Sequence, residues 1–511
     1  MLFRGASRML LAAALALGTA GGALAAKDLV VGVPDNLTGL DPADLNDNLS
    51  QSAVRLMFEG LYMLDEHMKL RPQLAESYEA SDDAKTFTFH LRKGVTFHDG
   101  SPFNAAAVKF SFDRAGNPEN KLKRQSLYVM IDHTDVVDEY TVRMVLKYPF
   151  GAFVNNIAHP GALIVSPKSV QEFGKEVTRH PAGTGPYQFV SWTADTLKMK
   201  KNDHYWKPGT PKIDTITYRG VPENGARIAM LQAGEAQFIY PVPPEMIKAI
   251  QNSATISVFD EPSILIRYVA LNMSKKPFDN PKVRQALNYA IDKQAFAKVV
   301  FSGFSDPMDS PMPQGLGFYQ KQGTYAYDPA KAKALLAEAG YPNGFETTVT
   351  GLSNTLVQRG MQFVQQQLAM VGVTVKVEPL EAGVLTAKLF NVKGAEDSTT
   401  QMVYGGWSSS TGDADWGMRP MLYTKSFPPV LSNQAFYSNP VTDAAIEEGL
   451  ATVDSAKRAA AYGKAQAQVW QDAPWIFLAV DHNLAAYSKK LHGAFMRPDQ
   501  QFHLAEDARL D

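Results

Sequence analysis

Between Thr86 and Leu91 apolar and polar positions alternate, with Phe87, Phe89 and Leu91 on one face, the period of a half-buried strand. Similar short strands are predicted at 27–33, 141–146, 187–192, 213–219 and 268–272. Several sit beside a turn signal, such as Pro34-Asp35-Asn36 or Gly183-Thr184-Gly185-Pro186. Helical spacing follows Asn104, a cap for a helix carrying Val108 and Phe112, and recurs from Ala226 to Ala233 before Gly234. The second half of the chain is more helical. Asn280-Pro281 starts a helix with Val283, Leu287, Ala290 and Ile291 as its buried stripe, and Asp328-Pro329 repeats that start in a helix ended by Gly340. A further helix runs from about Thr355 to Val371 and stops at Gly372, before the strand Val373 to Val377. Asp454 caps a helix holding Ala459, Tyr462, Ala465 and Val469, and Pro474 to Leu478 reads as a buried strand.

Strands alternating with helices predict α/β layers. No short-period repeat, low-complexity tract or linker divides the 511 residues. That length allows roughly three domain-sized units, so the lobes must interleave along the chain. Two lobes with a cleft between them suit a binder that closes on a hinge.

The first residues change the picture. Arg4 and Arg8 precede an apolar run, Met9 to Leu17, too short to span a bilayer, and Ala23-Leu24-Ala25 fits a small-x-small cleavage site. Residues 1–25 therefore read as a secretory signal peptide. The remaining chain holds 48 basic and 52 acidic residues, a net charge of −4, which leaves no footprint for nucleic acid. There is no cysteine, which excludes disulfides, thiolate metal sites and a lipid-modified cysteine anchor. A periplasmic, untethered protein is the expectation.

Catalytic patterns are missing. The ten histidines are scattered, with no zinc-protease helix motif, and no phosphate-binding loop occurs. The nearest approach to a nucleophile elbow, Gly406-Trp407-Ser408-Ser409-Ser410, lacks its final glycine. A triad assembled from distant residues stays open, since triads are recognised by geometry. The stretch Tyr404 to Trp416 sets small polar residues between two tryptophans. Gly405 and Gly406 would let another backbone approach, so the segment reads either as a peptide-pairing strand or as a plain surface loop.

At this point the chain resembles the peptide/nickel-type solute-binding proteins of ABC importers, from Asp28 to the C-terminus. The residues that carry this are Leu40-Asp41-Pro42, Phe58-Glu59-Gly60-Leu61, Leu74-Ala75-Glu76-Ser77, 91–100, Gly183 to Tyr187, 277–284 and 337–345. Within that family it is similar to the glutathione-binding branch, on residues 41–50, 103–109, 229–238, 407–416 and 435–439. The resemblance implies an α/β, two-lobed periplasmic binding protein fold of the large three-subdomain type, with a hinge and a central cleft. The implied division is 26–54, 184–265 and 485–511 for the core of lobe 1, 55–183 for its extra subdomain, and 266–484 for lobe 2. It also implies a monomer with no cofactor that closes on glutathione or a short peptide and delivers it to the membrane permease subunits. A dipeptide, a nickel chelate or haem are alternative ligands; a periplasmic peptide hydrolase or chaperone is the alternative of another class.

Glutathione has two carboxylates and one ammonium, whose burial demands charged partners. In the dipeptide-binding branch, an arginine on the helix before Val371-Gly372-Val373 takes the ligand carboxylate, and counting back gives Arg359. The other reading of Arg359 is a solvated helix face. That branch holds the ligand amine with an aspartate where this chain has Ser410, a departure that fits a γ-linked peptide. Asp413 or Asp415 then takes the amine, unless Asp415 caps the helix near Trp416. Arg267 holds a carboxylate or forms a structural ion pair. Asn36, Thr38 and Leu40 line the cleft or serve the turn after the first strand. Trp407, with Ser408 and Ser409, walls the cleft; Tyr404, Phe436 and Tyr437 touch ligand or pack in the core, as Trp206 and Trp475 do.

Overall fold

The alternation at Thr86–Leu91 is realised as a strand whose Phe87, Phe89 and Leu91 are buried, in a computed structural model whose described residues are 27–511. The leader read at 1–25 lies outside the described residues. The predicted caps form. Asn104 accepts from the Ala107 N–H at the head of Ala105–Gly116, and Asn280 and Asp328 do the same for Pro281–Tyr289 and Pro329–Glu338. Asp454 takes the N–H groups of both Ala456 and Lys457, so four orphan helix ends are satisfied by the residues that announced them.

One eleven-stranded sheet runs through the molecule. On one side lie Asp28–Val33, Phe238–Ile239, Thr215–Gly220, Thr196–Lys201 and Tyr187–Trp192; on the other lie Thr374–Leu380, Glu346–Leu352 and Met402–Ser408. Two long antiparallel strands, Ile256–Leu271 and Trp475–Ser488, join the sides, and the short strand Ser305–Pro307 pairs with the second of them as the eleventh. The sequence reading takes only their ends, 268–272 and 474–478. Asp260-Glu261-Pro262 breaks the apolar pattern, and the structure accommodates it with a break in register: Pro262 faces His482, but the next paired residue, Ile266, faces Val480. Proline inside a sheet is confined to such irregularities. The break marks the crossing, because Leu265–Leu271 pair with Met402–Ser408 while Tyr487 and Ala486 pair with Phe238 and Ile239.

A separate four-stranded antiparallel sheet, Ala75–Ala80, Thr86–Leu91, Thr141–Leu146 and Ile131–Asp138, forms with Ala105–Gly116 the extra subdomain. The motifs of the sequence reading are its joints. Buried Glu59 accepts from Trp206 Nε1, Tyr205 Oη and Thr184 Oγ1 at 2.8–2.9 Å, and burial raises its pKa. His98 N–H donates to Gly183, and Gly185 N–H donates to Met57, which ties 91–100 and 183–187 to 56–61. The subdomain also meets the second half of the chain: Gly151 N–H donates to Leu450 at 2.7 Å, and Asn155 Nδ2 to Thr411 at 3.1 Å. Among the described residues no helix is long and apolar enough to cross a membrane.

Candidate functional site

Glu346–Leu352 runs parallel to both Thr374–Leu380 and Met402–Ser408. The carboxyl ends of the three strands therefore open on one side of the sheet, where open α/β sheets hold ligands. Two helices begin there. Thr355–Ala369 is capped by Asn354, which accepts from Val357 N–H at 2.9 Å, and Ala414–Leu422 is capped by Asp413, which accepts from Asp415 N–H at 2.9 Å.

The strand Met402–Ser408 has one occupied edge and one that is largely free. Leu265–Leu271 pairs along all of it, whereas Val349 and Thr350 pair only with Met402 and Val403. Beyond Val403 the second edge has no strand among the described residues, and Gly406 is exposed. An edge of this kind accepts an extended peptide backbone. A Cβ on Gly406 would stand 2.9 Å from Nη1 at the end of the Arg267 side chain, the residue paired with Gly406 on the occupied edge.

Arg267 and Arg359 come together in one cleft of about 920 Å³. Asn48, Tyr240, Phe301 and Asn354 line it with them. Their roles differ. Arg267 is already paired, through Nε and Nη2, with both oxygens of Asp481 at 2.6–3.1 Å. Burial alone would lower its pKa, but the Asp481 carboxylate outweighs that and holds it charged. Arg359 is half-buried on the first turns of Thr355–Ala369, and its one hydrogen bond is Nη1 to the Val300 carbonyl at 3.3 Å. No carboxylate of the described residues lies within ion-pair reach of it.

Tyr404 is buried against the same helix. Its hydroxyl has no partner among the described residues, and burial keeps it neutral by pushing its pKa well up. A Cβ on Gly360 would lie 2.4 Å from that oxygen and 2.6 Å from the ring. Gly360→Ala is therefore expected to destabilise the protein by about 1–3 kcal/mol through overpacking, despite the ~1 kcal/mol that alanine gains in a helix. A urea unfolding midpoint reads this; an unchanged or higher midpoint would show that Tyr404 moves aside freely.

The other predicted residues lie outside that cleft. Asp413 and Asp415 are not free for an amine. Asp413 pairs through both oxygens with Arg458 at 2.8 and 2.9 Å, and Asp415 pairs with Arg419 at 2.7 Å. The helix cap expected of Asp415 is instead Asp413. Trp407 turns its Nε1 to the Trp416 carbonyl at 2.7 Å and braces the turn. Ser408 Oγ is buried without a partner, Ser409 is buried and Ser410 half-buried. Thr38 donates to Asp47 at 2.6 Å and lines a different cavity, beside Arg114 and Asp113. Asn36 is exposed in the turn after Asp28–Val33. Phe436, Tyr437 and Trp475 are core, and half-buried Trp206 is held by Glu59.

Sequence reasoning missed Asp481, Asn354 and Tyr240. Asn354 had a signal, a cap residue before Thr355. Asp481 had none, because its partner is 214 residues away.

The profile described as bacterial extracellular solute-binding proteins, family 5 Middle, matches residues 69–428. The chain is 50% identical over 488 residues to the glutathione-binding protein GsiB of Pectobacterium atrosepticum, covering 95% of each. In structure it is similar to HbpA2 from Haemophilus parasuis, with a TM-score of 0.86, 27% identity, and 95% and 100% of the chains covered. It is also similar to the ABC transporter-associated periplasmic binding protein DppA from Helicobacter pylori in complex with peptide STSA. There the TM-score is 0.77, identity is 28%, and 94% and 98% of the chains are covered.

Proposed function

Because the chain belongs to the bacterial extracellular solute-binding proteins, family 5, we propose that it captures glutathione between its lobes in the periplasm and delivers it to the membrane permease of an ABC importer. The observation that carries this is Arg359, a guanidinium in the cleft between lobes that lacks a carboxylate partner among the described residues. A ligand carboxylate satisfies it by a charge-assisted hydrogen bond. The free edge of Gly405 to Ser408 supports a peptide-like ligand, and the half identity to glutathione-binding relatives supports this peptide in particular. The proposed division is lobe 1 at 26–54, 184–265 and 485–511, its extra subdomain at 55–183, and lobe 2 at 266–484. Binding then consists in favouring the closed arrangement of the lobes, by as much as the ligand prefers it over the open one. No chemical step is part of this reading, and a monomer suffices for it.

Calorimetry of the ligand-stripped mature protein tests it, with reduced glutathione, oxidised glutathione and Ala-Ala in parallel. One-to-one binding of reduced glutathione, with Ala-Ala much weaker, is the expected result. Clear binding of the dipeptide alone would keep the transport role and remove the glutathione reading. Release of cysteinylglycine or free amino acids during the titration would point to a hydrolase instead.

A further inference from the structure

The hairpin Leu491–Met496/Phe502–Leu510 turns through 497–501 at a place where lobe 1, the extra subdomain and the crossing strands meet. Ile264 N–H of the crossing strand donates to Pro498, and Asn483 Nδ2 to the Arg497 carbonyl. The Arg497 and Asp499 side chains in this turn are fully buried. Arg497 Nη2 donates to Asp499 Oδ2 at 3.0 Å, and the Met68 Sδ stands 4.0 Å from the same nitrogen. Arg497 Nε, Arg497 Nη1 and Asp499 Oδ1 have no partner among the described residues. Three charged-group atoms without partners at one spot are expensive in a folded protein, and each calls for a reason.

The surroundings do not balance the charge. Arg55 approaches the same group: desolvation and then the Arg497 guanidinium pull its pKa down to about 9, against the opposing Asp499 carboxylate. His159 is held neutral by burial, then by Arg124, and after it by Arg55 and Arg497. Arg497 alone is paired with Asp499, while Arg55 Nε donates to Gln501 Oε1 at 2.7 Å, so among the described residues a second guanidinium lies near the pair without a carboxylate of its own. The turn is also a partition between two cavities. Met496 and Gln500 line the cleft of Arg359 and Arg267, while Met496 and Pro498 line a second cavity that reaches the hairpin of Met68. Met68 itself has φ 58, an uncommon backbone for a non-glycine residue, and carries a flexible thioether.

We infer that Arg497 and Asp499 form the subsite for an amino-acid head, a carboxylate and an ammonium on one carbon. The inference rests on the glutathione reading above and deepens it. The γ-glutamyl end of glutathione is such a head, because its peptide bond leaves from the side chain. The first residue of an ordinary peptide keeps its ammonium but has its carboxylate in the amide. Arg497 receives the carboxylate through one of its unpartnered nitrogens, Nη1 or Nε, and Asp499 Oδ1 receives the ammonium. Arg359 is left for the glycine carboxylate at the other end. Closing the lobes without ligand buries these groups unpaired, so the ligand's charges favour the closed form.

The test uses the full mature chain and three probes in calorimetry: reduced glutathione, glutaryl-Cys-Gly, which lacks only the α-ammonium, and 4-aminobutanoyl-Cys-Gly, which lacks only the α-carboxylate. The wild type is expected to bind each analogue at least about tenfold more weakly than glutathione. In Asp499→Asn the preference over glutaryl-Cys-Gly should collapse to within about threefold, with the other preference kept; in Arg497→Gln the reverse should hold. Folded variants that keep both preferences at wild-type size would overturn the subsite while leaving glutathione as ligand. Should neither variant fold, the milder Asp499→Glu and Arg497→Lys take their place with the same readout, and equal affinity of the wild type for all three probes overturns the subsite. No heat from glutathione itself would overturn the ligand reading and the subsite with it.

Discussion

Replacing Asp413 by alanine is expected to destabilise the protein by about 3–5 kcal/mol and to leave ligand recognition in the surviving fold unchanged. The carboxylate has two structural duties. It caps Ala414–Leu422 through Asp415 N–H, and it meets both terminal nitrogens of Arg458, at side-chain exposures of 2% and 5%. Arg458 lies on Ser455–Asp472, donates from Nε to the Gly449 carbonyl, and stacks 4.8 Å over the Phe318 ring. It cannot turn to water without undoing these contacts. Asp413→Ala therefore strands a charged guanidinium in a dry place, which costs far more than the lost pair would suggest. The double variant Asp413→Ala, Arg458→Met should recover most of the loss, keeping only the ~1 kcal/mol of the missing cap. Urea unfolding of both variants measures this. Near-normal stability in the single variant together with lost glutathione affinity would instead make Asp413 the holder of the ligand amine.

That experiment bears on what a sequence conceals. Asp413 and Asp415 read as ligand groups because the resemblance calls for a carboxylate to hold the amine where this chain has Ser410, and both stand close by in a stretch whose composition is shared by binding loops and by helix starts. What separates the two is a partner elsewhere in the chain: Arg458 is 45 residues away, and nothing in the local pattern announces it. Arg267 shows the same limit, since Asp481 comes from the returning strand. Helices, by contrast, were legible to within a residue or two at their starts, because Asn104, Asn280, Asp328 and Asp454 bond their own first turns. Local causes leave local marks. The long crossing strands were half legible. Their apolar ends read as strands, but the polar middle, Asp260 to Ser263, obeys the hinge and its register break rather than the alternation of a packed face. Arg359 is legible only through the resemblance to the dipeptide-binding branch, counted back from Val371-Gly372-Val373, and the cleft around it exists only in the folded arrangement.

For Arg359→Ala the expectation is the opposite pairing of effects: glutathione affinity falls about tenfold to a hundredfold while the unfolding midpoint stays within about 0.5 kcal/mol of wild type. The side chain is half-buried on the cleft wall, and its single side-chain hydrogen bond among the described residues, to the Val300 carbonyl, is long at 3.3 Å. Little of the fold is lost with it, as for other surface truncations. The ligand loses a hydrogen bond between charged groups, about 1.5–3 kcal/mol in such settings, and each 1.4 kcal/mol is a factor of ten in affinity. Lysine at this position should recover only part of the affinity, because an ammonium offers a point charge where a guanidinium offers a planar fork. Arg267 provides the contrast within the same cleft. Its charge is committed to Asp481, so Arg267→Ala should lower stability as well as affinity. Calorimetry and urea unfolding on the two alanine variants separate the roles. If Arg359→Ala binds glutathione at wild-type strength, the ligand carboxylate is held elsewhere in the cleft.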